Sequence, residues 1–97
     1  MKFAFEIARN VDIQREHLIM EMVNTTISCA EIAFAEAEKV GQYNVEVELP
    51  INLTYEHLRA DYEKEVVRKF ETHGYLIAHI IPWKWFISCD PSQWESE

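Results

Sequence analysis

Glycine and proline are scarce in this 97-residue chain, at two and three residues, which argues against low complexity and disorder. Gly41 and Gly74 stand alone, so neither a phosphate-cradling loop nor a dinucleotide Gly-x-Gly pattern is present. Cysteine is limited to Cys29 and Cys89, far apart and outside any Cys-x-x-Cys motif. Both fit small packing residues with free thiols in a reducing cytoplasm, the expected location. Basic residues are few: 9 Lys and Arg against 17 Asp and Glu give a formal charge of −8. That balance disfavours direct nucleic-acid binding and an anionic membrane surface. No run approaches the ~18 apolar residues that span a bilayer. Glu6 interrupts the apolar stretch that a signal peptide would need after Met1-Lys2.

Hydrophobic residues, by contrast, make up 48% of the chain and aromatics 12%, enough for one domain over residues 1–97 with its own core. From about Val11 to Val40, Met20, Val23, Ile27, Ala30, Phe34 and Ala37 recur three and four apart, one stripe of an α-helix. Asp12 or Asn10 can cap its start, and Gly41 supplies the left-handed residue that ends it. A second row, including Ile19, Met22, Thr26, Cys29 and Ala33, lies alongside the first. The apolar arc is therefore wide. Either it meets both the sheet and a second helix, or Ile19, Met22, Thr26 and Ala33 form the face of a homo-oligomer. Residues 1–10 suit either a short helix or a strand: Phe3, Phe5 and Ile7 alternate as a strand would, but helix is preferred for Ala4, Ala8 and the lack of β-branched residues other than Ile7.

After Gly41 the period shortens to two. Val45, Val47 and Leu49 alternate with Glu46 and Glu48, a half-buried strand that Pro50 ends. A second helix is expected from a cap at Asn52 or Thr54 to about Thr72, with Tyr55, Leu58, Tyr62, Val66 and Phe70 as its apolar stripe. Gly74 terminates it. Tyr75–Ile81 is rich in strand formers, Pro82 breaks the run, and Trp83–Cys89 is expected as the last strand. Residues 90–97 are expected to be a flexible tail. The fold class is therefore α+β, with two main helices on a small three-stranded sheet in the order helix-strand-helix-strand-strand.

The segments Ala35-Glu36-Ala37-Glu38-Lys39-Val40-Gly41-Gln42-Tyr43-Asn44-Val45-Glu46-Val47, His73-Gly74-Tyr75 and Ile87-Ser88 carry a resemblance. Across roughly residues 27 to 89 the chain resembles a type of small accessory, host-interaction protein of tailed bacteriophages. In that type a helix ends in an Ala…Gly segment before a Val-rich strand. A second helix closes on a Gly-aromatic pair, and a last strand ends in Ile-Ser-Trp. Here Cys89 takes the place of that Trp, and the link between the last two strands is short. The resemblance implies a phage setting, in the cytoplasm of the infected host, and an α+β fold. It assigns no catalytic or ligand-binding residue.

No catalytic motif is legible. His17, His57, His73 and His79 are scattered, there is no His-Glu-x-x-His, and Cys89 has no evident base and orienting group. No enzyme activity, metal or cofactor is expected. Candidate partner-binding residues are instead Glu46 and Glu48, with the aromatic cluster Tyr75, Trp83, Lys84, Trp85 and Phe86, which Trp94 adjoins. The same aromatics also suit a sheet core, in which either the Trp83/Trp85 face or Phe86 is left partly exposed. Three functions follow as expectations. The first is an acidic module that docks on and inhibits a host protein. The second is an oligomer that sequesters a nucleotide-type immune signal, its bases stacked on the aromatic strand. The third is a minor virion or assembly component.

Overall fold

The computed structural model describes Met1, residues 3–49 and residues 53–90, apart from the side chains of Leu53 and Thr54. The expected breaks and caps at Pro50, Asn52 and Thr54, and the tail from residue 91 with Trp94, lie outside that description. The fold is α+β, two helices and a three-stranded antiparallel sheet in the expected order.

The first helix, α1, runs unbroken over Ala4–Val40. The expected start near Val11 is corrected: Asn10 and Asp12 lie inside the helix, and Phe3 precedes it without a side-chain cap. Neither glycine nor proline occurs before Gly41, so nothing stops the helix from extending upstream through Ala8 and Ala4. Its end is a Schellman motif. Gly41 takes φ 73°, its amide donates to the Glu38 carbonyl, and the Gln42 amide donates to Ala37 at 2.9 Å. By length and composition α1 could cross a membrane. Its C-terminal half is nevertheless packed on the sheet through Val23, Thr26, Ala30 and Ala37.

Strand β1 (Asn44–Glu48) follows with the alternation its sequence requires, Val45 and Val47 buried and Asn44, Glu46 and Glu48 exposed. The second helical segment is split. Leu53–Leu58 is a 3-10 turn, and the α-helix proper, α2, is Arg59–Thr72. Leu58, Tyr62, Val66 and Phe70, each four residues from the last, bury one face of it. A second Schellman motif closes α2: Gly74 takes φ 88°, its amide reaches Glu71, and the Tyr75 amide reaches Phe70 at 3.0 Å. The Tyr75 and Phe70 rings pack edge to face at 5.5 Å, the apolar contact that accompanies this motif.

The hairpin of β2 (Leu76–Ile81) and β3 (Lys84–Ser88) completes the sheet. Its order is β1-β3-β2, both outer strands antiparallel to β3, so β1 and β2 run parallel and α2 makes the crossover between them. The expected last strand is shorter at both ends. Trp83 belongs to the turn and Cys89 lies beyond the strand. Pro82 and Trp83 are the two turn residues, and Trp83 takes φ 71°, the left-handed value glycine normally supplies at the second turn position.

Both helices cover the face of the sheet that carries Val45, Val47, Trp85 and Ile87, with α1 over β1 and α2 over β2. Val23, Ala30, Tyr62, Val66, Phe70 and Trp83 join these four in one core.

Candidate functional site

The two tryptophans expected to mark a partner surface are inside the molecule. Trp85 is fully buried and Trp83 retains 2% of its surface. The Tyr62 ring stacks on Trp83 at 5.2 Å and meets Trp85 edge-on at 6.1 Å. Of the two readings of the aromatic strand, Trp83 and Trp85 follow the sheet core and leave Phe86 on the other face: side-chain alternation turns Trp85 toward the helices, and the turn folds Trp83 beneath the same layer. Tyr75 is half-buried between Phe34, at 5.4 Å, and Phe70.

A directed chain of hydrogen bonds crosses this core. The Trp85 indole N–H donates to the Tyr62 hydroxyl at 3.0 Å, Tyr62 meets the Thr26 hydroxyl at 2.7 Å, and Thr26 donates to the Met22 carbonyl at 2.9 Å. Burial pushes the Tyr62 phenol above its ordinary pKa, against the opposing pull of its bonds with Thr26 and Trp85, so the ring stays neutral. Thr26 is therefore a core residue, and Ile19, Met22 and Ala33 pack against the core at its margin. Thr26 is thereby withdrawn from the expected oligomer face, while Ile19, Met22 and Ala33 keep part of their surface exposed. The Trp83 indole N–H is buried with no acceptor among the described residues.

The opposite face of the sheet has no helix over it among the described residues. Its residues form three cross-strand rows. Glu46, Phe86 and Ala78 make the middle row; Glu48, Lys84 and Ile81 lie toward the β2–β3 turn; Asn44, Ser88 and Leu76 lie at the far end. Phe86 is half-buried at the centre, Glu46, Glu48, Ala78 and Ile81 are exposed, and Lys84 pairs with Glu46 at 3.4 Å. Ser88 is buried and accepts a hydrogen bond from the Asp90 amide at 3.1 Å. Glu46, Glu48, Lys84 and Phe86 are thus brought together on one open surface, apart from Trp83, Trp85 and Tyr75.

A cleft of about 320 Å³ lies between the C-terminal parts of α1 and α2. Phe34, Phe70 and Tyr75 supply its apolar lining, while Glu31, Glu38, Lys69 and His73 bring charge and polarity. His73 is hydrogen-bonded through Nδ1 to the Lys69 carbonyl at 2.8 Å. His79 stacks on Trp85 at 4.0 Å and sets Nε2 3.1 Å from Glu63, which also lies 3.6 Å from Arg59. Among the described residues no three His, Cys, Asp or Glu side chains converge as metal ligands.

A further exposed apolar feature is not among the sequence expectations. Phe3, Phe5, Ile7, Val11 and Ile13 all lie open on the N-terminal part of α1. The signal was the four-residue spacing of Phe3, Ile7 and Val11, masked by the alternation of Phe3, Phe5 and Ile7. Comparison with family models, curated proteins and solved structures finds no match to this chain.

Proposed function

We propose that this chain is an acidic protein-binding module that docks through the open face of its sheet onto a basic surface of another protein and blocks it. The observation that carries the reading is that, among the described residues, the helices cover the sheet on one side only. Helices bury one face, and the other presents Phe86 at its centre with Glu46 and Glu48 beside it. An aromatic anchor within a charged surround is how small modules hold protein partners. The overall charge of −8 selects a basic partner and would accelerate its encounter. In the phage setting that the resemblance implies, the partner is a host defence or transcription protein.

The test begins with native mass spectrometry of tagged protein recovered from host lysate. The captured partner is then titrated with the double variant Glu46→Lys/Glu48→Lys and with Phe86→Ala. The charge reversal is expected to slow association about tenfold or more at low salt and little at high salt, while Phe86→Ala speeds dissociation. If both variants bind like the parent, the open sheet face is not the docking surface.

One observation favours a second reading, in which the protein sequesters a small nucleotide-type ligand. The cleft beside Phe34, Phe70 and Tyr75 reaches the size range of small-molecule sites. Glu31 and Glu38 on its rim oppose an anion there, which makes this the weaker case. A ligand-sized extra mass on the native protein, lost in Tyr75→Ala, would reverse that ranking.

A further inference from the structure

No other element covers the start of α1 among the described residues. Among the described residues, the first side-chain bond from α1 to another element is Arg15 to Asp61, at 3.3 Å. Upstream, Phe3 is 70% exposed, Ile7 50% and Val11 49%. The steps from Ile7 to Val11 and on to Leu18, which is half-buried, keep these three on one stripe, while the Phe3 ring stacks on Phe5 at 5.8 Å. From Val11 the row goes on in seven-residue steps through Leu18 and Thr25 to Ile32, which is 69% exposed. At about 100° per residue, this stripe is turned roughly a third of the circumference from the core row of Ile19, Val23, Thr26 and Ala30. The segment extends a helix already nucleated and packed downstream, so it is the exposed apolar side chains, and not the helix itself, that a partner would cover.

Charge identifies that cover. Residues 1–20 hold three basic residues (Lys2, Arg9, Arg15) and three acidic ones (Glu6, Asp12, Glu16), so the whole net charge of −8 sits on the remainder. Ala8, Asn10 and His17 flank the stripe, while Glu6, Asp12 and Glu16 point away from it by helical geometry. The neutral arm is therefore the part of this acidic molecule that a second copy can approach without repulsion. Parallel pairing would set two bodies of charge −8 side by side. Antiparallel pairing sends them to opposite ends.

We propose that two copies of this chain associate through the Ile7, Val11 and Leu18 stripe of α1, antiparallel about an axis near Val11. The contact is isologous, each stripe covering its own counterpart, and it leaves the open sheet face of each copy free. It stands independently of the docking reading for that face.

Sedimentation velocity of the full chain at tens of micromolar is expected to show a dimer. Val11→Glu should weaken association about 100-fold or more, since each dimer would bury two unpaired charges. Val11 is half-exposed within the monomer, so this variant is expected to keep its fold, which far-UV circular dichroism checks. Direction is read by cross-linking with Cys29 and Cys89 replaced by serine. Ala4→Cys should couple to Leu18→Cys on the other copy and not to itself. A monomeric parent, a dimer unmoved by Val11→Glu, or self-coupling of Ala4→Cys would each overturn the proposal. A monomeric parent that floats with zwitterionic vesicles would overturn it in favour of a lipid surface.

Discussion

Tyr62 and Thr26 are joined by a hydrogen bond whose direction is set from outside the pair, by the Met22 carbonyl that touches only Thr26. The Thr26 hydroxyl gives its proton to the Met22 carbonyl, so Tyr62 must donate to Thr26 and accept from the Trp85 indole. The chain Trp85 to Tyr62 to Thr26 to Met22 ties β3, α2 and α1 together through one phenol. Each buried donor in it is satisfied, and each would be orphaned by removing the next.

Tyr62→Phe is expected to destabilise the fold by about 1–3 kcal/mol, because it leaves the buried Trp85 indole N–H without an acceptor. Thermal or urea unfolding measures this. Combining it with Thr26→Val should cost less than the two separate losses added together, as both remove members of one chain.

The same phenol sets an alkaline limit. Its pKa is raised in the folded state, chiefly by burial, so the stabilisation is complete below the unfolded value of about 10 and lost as pH climbs through the folded one. Unfolding free energy should therefore fall above roughly pH 10 in the parent and fall less steeply in Tyr62→Phe. Equal slopes in the two proteins would remove Tyr62 as the cause.

At Trp83 two effects compete. Its left-handed backbone costs of order 1–3 kcal/mol, whereas losing a buried tryptophan side chain costs about 3–5 kcal/mol. Packing wins. Trp83→Gly relieves the backbone and should still be destabilising, but by less than Trp83→Ala, which keeps the strain and loses the ring. Denaturation midpoints in the reverse order would mean that the turn is not strained.

Gly41→Ala and Gly74→Ala are each expected to cost about 1–2 kcal/mol. A Cβ at either position meets no atom within 4 Å, so the cost arises from the positive φ alone. Asparagine, which tolerates that conformation better, should restore part of the loss at both sites.

Those two glycines were legible from sequence because each follows a helical stripe and its conformational role is local. The same holds for the alternation of Val45 and Val47 and for the four-residue row from Leu58 to Phe70. Thr26 was not legible. It is a polar residue on the edge of a helix stripe, and it belongs to the core only because Tyr62, 36 residues away, arrives with a hydroxyl. Trp83 misled for a related reason. Pro82 signalled the turn, but the position after it calls for glycine, and a tryptophan is held there by the Tyr62 ring that only the tertiary fold supplies. The candidate surface divided likewise: Glu46, Glu48, Lys84 and Phe86 share the open face, while the strand period sends Trp85 to the other.

The placement of β3 between β1 and β2 bears on how the chain is made. Both outer strands precede it in sequence, and neither is paired with the other. Until Lys84–Ser88 leaves the ribosome, β1 and β2 have no neighbour to bond, and the cavity between the helices lacks Trp85 and Ile87. A nascent chain that pauses after Ile81 therefore exposes two unpaired strands and an unfilled core, a species for chaperones or proteases rather than a partly working protein.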